Sequence, residues 1–139
     1  MNQKPSNVFA AASYFVLLTG ISAYIIGLWN ADMMLNEKGY YFTILMYGLF
    51  SAISLQKSVR DQLDGIPVSS MYYGLAWFST IVSLVLLTVG LWNADLFLSE
   101  KGFYGMSFLL SLFAAITVQK NTRDSLANET SAKHNVDGY

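Results

Sequence analysis

The sequence contains no cysteine, which excludes disulfide frameworks, thiolate metal sites and cysteine nucleophiles. Histidine occurs once, as His134, in a polar C-terminal stretch without a cluster of other ligating residues, so a solvated side chain is expected there and no metal or cofactor. Charge is scarce: 12% of the 139 residues are charged, against roughly 25% in a soluble domain. The net charge of −1 offers no basic surface for nucleic acid, which is not expected as a partner. No Asp, Glu, Lys, Arg or His falls in the middle of an apolar run, where proton relays and ion-coupled carriers place one. No nucleophile with a base and no phosphate-binding glycine loop occurs either, so the chain is not expected to be an enzyme.

What is present is hydrophobicity, at 54% of residues, arranged in four long segments. From Val8 to Leu28 no residue is charged, and a helix of that length rises roughly 30 Å, the thickness of a bilayer core. The stretch Gly27-Leu28-Trp29-Asn30-Ala31-Asp32, with Leu35, Glu37-Lys38-Gly39 and Tyr41, returns as Gly90-Leu91-Trp92-Asn93-Ala94-Asp95, with Leu98, Glu100-Lys101-Gly102 and Tyr104. The offset is constant and ungapped through Asp61, which marks a duplication. Each copy of the polar stretch lies between two apolar segments and reads as the turn of a helical hairpin. The fold class is therefore an all-α membrane protein, with four transmembrane helices formed by two tandem parallel helical-hairpin repeats. Repeat 1 spans about 8–61, with helices about 8–29 and 37–61, and repeat 2 about 71–124, with helices about 71–92 and 100–124. A linker at 62–70 carries Asp64-Gly65 and Pro67, followed by Ser69 and Ser70 as helix caps. Residues 1–7 read as a polar leader, residues 125–139 as a disordered tail, and the whole chain, 1–139, as one membrane domain.

Lys4, Lys57, Arg60, Lys120, Arg123 and Lys133 fall on one side of this topology and only Lys38 and Lys101 on the other, which predicts both termini in the cytoplasm. Because each unit crosses twice, the repeats are parallel and their pseudo-twofold axis lies along the membrane normal. Within the second helix Leu49, Phe50, Ala52, Ile53, Gln56, Lys57, Arg60 and Asp61 are identical in the next copy, while Ser51, Ser54, Leu55, Ser58 and Val59 change. That division predicts a repeated face toward protein and a drifted face toward lipid. Gly48 and Ala52, matched by Ser111 and Ala115, and Gly20, matched by Ser83, supply small residues for close helix approach.

Gly-Leu-Trp-Asn-Ala, then Glu-Lys-Gly-Tyr/Phe-Tyr, then Gln-Lys-x-x-Arg-Asp, in that order and twice over, resembles the YiaA/YiaB two-helix family of bacterial inner-membrane proteins. The resemblance covers Ser13 to about Asp124 and is closest to the double-unit YiaA type. It implies a multi-pass inner-membrane protein and carries no established biochemical activity with it.

Two constellations are candidate sites. On the turn side stand Trp29, Asn30, Asp32, Glu37 and Lys38 with Trp92, Asn93, Asp95, Glu100 and Lys101. Asn36 and Ser99 are strong N-cap types, which would place Glu37 and Glu100 in a first helical turn, where the dipole favours an anion. The tryptophans suit interfacial anchors, and the Asn and Asp pairs either close helix ends or attract a cation. The parallel repeat sets Asp32 and Asp95 at one depth, with Lys38 and Lys101 as the simplest neutralising groups. On the other side Gln56, Lys57, Arg60, Asp61, Gln119, Lys120, Arg123 and Asp124 suit helix termini, or contact with anionic lipid or a partner protein. Partners in prospect are the bilayer, further copies of the chain and other membrane proteins. Two functions fit: a non-catalytic component that self-associates or scaffolds, and an oligomeric pathway for a small solute or ion, lined by Ser, Thr and Gly of the second and fourth helices.

Overall fold

A computed structural model describes residues 4–138, which form four α-helices: α1 (Asn7–Asn30), α2 (Leu35–Leu63), α3 (Ser70–Asn93) and α4 (Leu98–Asp137). The first three residues of the polar leader, and Tyr139 at the end of the tail, lie outside the described residues. All four helices are long and apolar enough to cross a membrane; the 24 residues of α1 or α3 rise about 36 Å.

Serines cap α1 and α3, at Ser69 as the sequence predicts and at Ser6 without such an expectation. Ser6 Oγ accepts from the Phe9 amide and Ser69 Oγ from the Tyr72 amide, both at 3.1 Å, each satisfying a donor that the first helical turn leaves unpaired. Asp64-Gly65 ends α2 in a Schellman turn, with Ile66 N–H on the Asp61 carbonyl and Gly65 N–H on that of Gln62. Gly65 holds φ +76°, a backbone region open to glycine without a side-chain clash.

Two expectations fail at helix ends. The N-caps of α2 and α4 are Met34 and Phe97, without side-chain cap bonds, and not Asn36 and Ser99. Leu35 and Leu98 are good helix formers that begin each helix earlier, so Asn36 and Ser99 fall inside the first turn, where Glu37 and Glu100 also lie. At the other end, α4 runs on to Asp137 through the stretch read as a disordered tail. Residues 125–137 contain no glycine or proline, and extending an existing helix avoids the cost of nucleating one.

Packing exchanges partners between the repeats. α1 lies chiefly on α4 and α3 chiefly on α2, while α2 and α4 pack on each other at the centre; the two helices within one repeat touch little. Tyr41 and Tyr104, equivalent under the repeat, stack at 6.2 Å with an interplanar angle of 18°. Contact between equivalent residues places the pseudo-twofold axis between them. Around it Tyr24, Leu45, Ala52 and Phe108 are fully buried, and the Tyr24 hydroxyl donates to the Tyr41 carbonyl at 2.8 Å.

The face assignment for α2 holds for the repeated Ala52, Arg60 and Asp61, which are buried, and is corrected elsewhere. Ser51, Ser54 and Ser58, which change between copies, are buried, whereas the repeated Phe50 is 72% exposed and Ile53 is also exposed. At Ser58 the drift accompanies a change across the seam, since its equivalent Asn121 meets Ser13 where repeat 2 has Ala76.

Candidate functional site

The Gln-Lys-x-x-Arg-Asp motif recurs one helical turn beyond the apolar segments of α2 and α4, and packing of these two helices brings both copies together. Arg60 Nη1 donates to Asp124 Oδ1 at 2.5 Å, and Arg123 Nη2 to Asp61 Oδ1 at 2.7 Å, so each guanidinium reaches the carboxylate of the other repeat. Each carboxylate also accepts from a lysine one turn earlier on its own helix, Lys57 for Asp61 and Lys120 for Asp124, both at 2.8 Å. The result is a reciprocal ion lattice across the axis. Asp64 adds to it, accepting from Arg60 Nε at 3.3 Å and from Arg123 Nη2 at 3.4 Å; the equivalent residue in repeat 2 is Ala127.

Asp61 and Asp124 are buried while the Lys57 and Lys120 side chains stay more than half exposed. The Lys57 hydrogen bond, joined by Arg123, outweighs burial and holds the Asp61 carboxyl below its usual range. For Asp124, burial raises the pKa but is overcome by the bonds from Lys120 and Arg60, leaving it lowered. Arg60, Arg123, Lys57 and Lys120 are thus all engaged within the chain, the two lysines with the larger part of each side chain exposed. Gln56 and Gln119 are half-buried beside them.

Sequence reasoning treated Asp64 only as a helix breaker and missed a second interior contact, from Asn121 Nδ2 to Ser13 Oγ at 3.1 Å. Asn121 stands where repeat 1 has Ser58 and Ser13 where repeat 2 has Ala76; this paired polar change was the signal available. Asn121 Oδ1 is buried with no hydrogen-bond partner among the described residues.

At the turn end the parallel repeat has the expected consequence. Asp32, Glu37, Asp95 and Glu100 line one cavity of about 700 Å³ together with Met33, Met34, Leu96 and Phe97. Neutralisation by lysine is not found: among the described residues every ion pair lies at the opposite end, and Lys38 Nζ instead donates to the Trp29 carbonyl at 3.0 Å. A carbonyl at the end of α1 has no intrahelical donor, and the nearby ammonium supplies one. Asn30 and Asn93 turn back on their own helices, their amides donating to the Ile26 and Val89 carbonyls at 2.8 and 2.9 Å. Trp29 and Trp92 are 80% and 82% exposed. No group of carboxylate or histidine residues among the described residues is arranged to hold a metal ion.

Several hydroxyls within the spans are likewise satisfied locally. Ser51, Ser58, Ser111 and Thr117 donate to carbonyls four residues earlier on their own helices.

Comparison with known proteins places this geometry. The model of the yiaA/B two helix domain matches twice, at residues 9–61 and 72–124. The chain is 58% identical over 123 residues to the inner membrane protein YiaA of Escherichia coli (strain K12), covering 88% of this chain and 85% of that protein. It is 25% identical over 99 residues to the inner membrane protein YiaB of the same organism, covering 70% and 83%. An uncharacterized membrane protein of Bacillus subtilis (strain 168), YubF, is 40% identical over 57 residues, covering 40% of this chain and 66% of the relative. No solved structure matches.

Proposed function

This chain belongs to the yiaA/B two-helix family and is a multi-pass inner-membrane protein, and from that premise we propose that it is a non-catalytic component that self-associates in the membrane, with both termini in the cytoplasm. The observation that carries the reading is a set of phenylalanines repeated in both copies yet turned outward: Phe15 and Phe78, 71% and 63% exposed, and Phe50 and Phe113, 72% and 69% exposed. Lipid accepts any apolar side chain, and other outward positions within the spans vary accordingly, as in Ile26 against Val89 and Leu18 against Ile81, while the exposed Trp29 and Leu35, repeated as Trp92 and Leu98, lie at the turn end. A protein surface discriminates between a ring and an aliphatic chain, and a second copy of the chain presents the same rings.

The native chain has no cysteine, so single-cysteine variants report cleanly. Oxidation in native membranes is expected to give dimers from Phe50→Cys or Phe113→Cys and none from Ile26→Cys. Absence of dimers from all four phenylalanine positions would remove the reading.

The four carboxylates of the turn-end cavity support a second reading, an oligomeric route for a cation. Saturable flux into liposomes, abolished in the Asp32→Asn, Asp95→Asn double variant, would establish that route. Ser51, Ser58, Ser111 and Thr117 give their hydrogens to their own backbones, which disfavours a hydrated path along these positions within one chain.

A further inference from the structure

An apolar groove of about 510 Å³ opens between α3 and α4 toward the bilayer, walled by Leu84, Leu87, Leu91 and Leu109, with Gly105 along its length and Lys101 toward the turn end. Its size lies within the roughly 300–1,000 Å³ usual for small-molecule sites. The equivalent place between α1 and α2 is built differently. Where repeat 2 has Gly105, repeat 1 has Phe42, and a Cβ added at Gly105 would meet no atom within 4 Å. Lys38 is held by the Trp29 carbonyl, whereas among the described residues the ammonium of its counterpart Lys101 has no hydrogen-bond or ion-pair partner. Repeat 2 therefore combines a vacated apolar slot with an unengaged, half-buried cation at its water-side end.

We propose that this groove binds one anionic phospholipid, an acyl chain lying along the leucines and the phosphate accepting from Lys101 Nζ. The chemistry selects this occupant because the slot is open to the hydrocarbon and ends in a positive charge at interface depth. Glu100, the adjacent carboxylate, lines the turn-end cavity instead.

The full chain offers an internal control, since Trp92 borders this groove and Trp29 is its equivalent in the other repeat. With Trp77→Phe in both, a Trp92-only form carries Trp29→Phe and a Trp29-only form carries Trp92→Phe. Each is reconstituted in phosphatidylcholine vesicles containing a minor fraction of either phosphatidylglycerol or phosphatidylcholine with brominated acyl chains. Quenching of Trp92 should show about a fivefold preference for the brominated phosphatidylglycerol, the effect of one basic side chain on an anionic headgroup, and Trp29 should show none. Lys101→Gln should abolish the headgroup preference while acyl quenching persists, and Gly105→Phe should reduce quenching by both lipids to the level seen at Trp29. Thermal unfolding in detergent confirms that the variants are folded. Equal quenching of the two tryptophans, a preference that survives Lys101→Gln, or quenching unchanged by Gly105→Phe overturns the proposal.

Discussion

The seam between α1 and α4 and the seam between α2 and α3 are equivalent under the repeat, yet their residues are exchanged or replaced in matched pairs. At the first, Gly20 faces Ser111, where an added Cβ would sit 2.7 Å from Ser111 Oγ and 3.2 Å from its backbone nitrogen. At the second, Ser83 faces Gly48, where an added Cβ would sit 3.3 Å from Ser83 Oγ. Each crossing thus holds one glycine and one serine, on opposite helices. Nearer the termini, Ser13 with Asn121 in one seam corresponds to Ala76 with Ser58 in the other. The difference teaches that at the glycine–serine crossing the duplicated pair keeps both residues while they trade helices, whereas nearer the termini a polar pair in one seam is replaced by a smaller, less polar pair in the other. The ion lattice ties the two seams together and keeps identical letters in both copies, because each arginine must serve the other copy's aspartate.

The largest effect is expected where the seams join. Arg60→Ala and Arg123→Ala should each lower stability by about 3 kcal/mol, since removing one partner leaves a buried carboxylate less compensated. As equivalents they should match in thermal unfolding in detergent, and the exchange Arg60→Asp with Asp124→Arg should recover most of the loss. Asp61 and Asp124 have lowered pKa values in the folded state, so their contribution is complete above the ordinary carboxylate range and is lost as pH falls below about 4. Acid sensitivity undiminished in the arginine variants would separate the lattice from that loss.

A smaller effect tests the exchange of glycine and serine. Gly20→Ser alone should cost about 1–3 kcal/mol by overpacking against Ser111, and adding Ser111→Gly should restore stability by giving the first seam the arrangement of the second. A double variant no better than the single would show that the two crossings are not interchangeable. The smallest effect concerns the polar pair: Ser13→Ala should cost about 1 kcal/mol by leaving the Asn121 amide without its acceptor. Adding Asn121→Ser, which reproduces the second seam, should bring unfolding back to the parent value.

Much of this was legible from the letters. The spans, the Ser69 cap and the Asp64-Gly65 stop follow from local chemistry, and the meeting of Asp32 and Asp95 at one cavity follows from the parallel repeat. The pairing of helices did not follow, because a leucine facing lipid and a leucine facing protein carry the same hydropathy. Nor did the whole inward face of α2, since identity between copies was taken as a sign of burial, which holds for Ala52, Arg60 and Asp61 but not for Phe50 and Ile53, while the drifted Ser51, Ser54 and Ser58 are buried as well. Lys38 was assigned to Asp32 by charge alone, when the carbonyl of Trp29 was nearer to hand. Asn36 and Ser99 have the side chains of caps, yet the short turn sets Met34 and Phe97 at those positions.

The exchange of partners between repeats also sets an order of events during synthesis. Ser13 and Asn121 are 108 residues apart, an interval of roughly 5–20 s at translation rates of about 5–20 residues per second. Throughout that interval α1 resides in the bilayer without its principal neighbour, and α2 and α3 are complete before it is joined. A nascent chain interrupted before α4 therefore leaves its first helix unpaired and both Asp61 and Asp64 without Arg123. α4, made after the other three helices, is the segment that closes the bundle, so the fold waits on its synthesis.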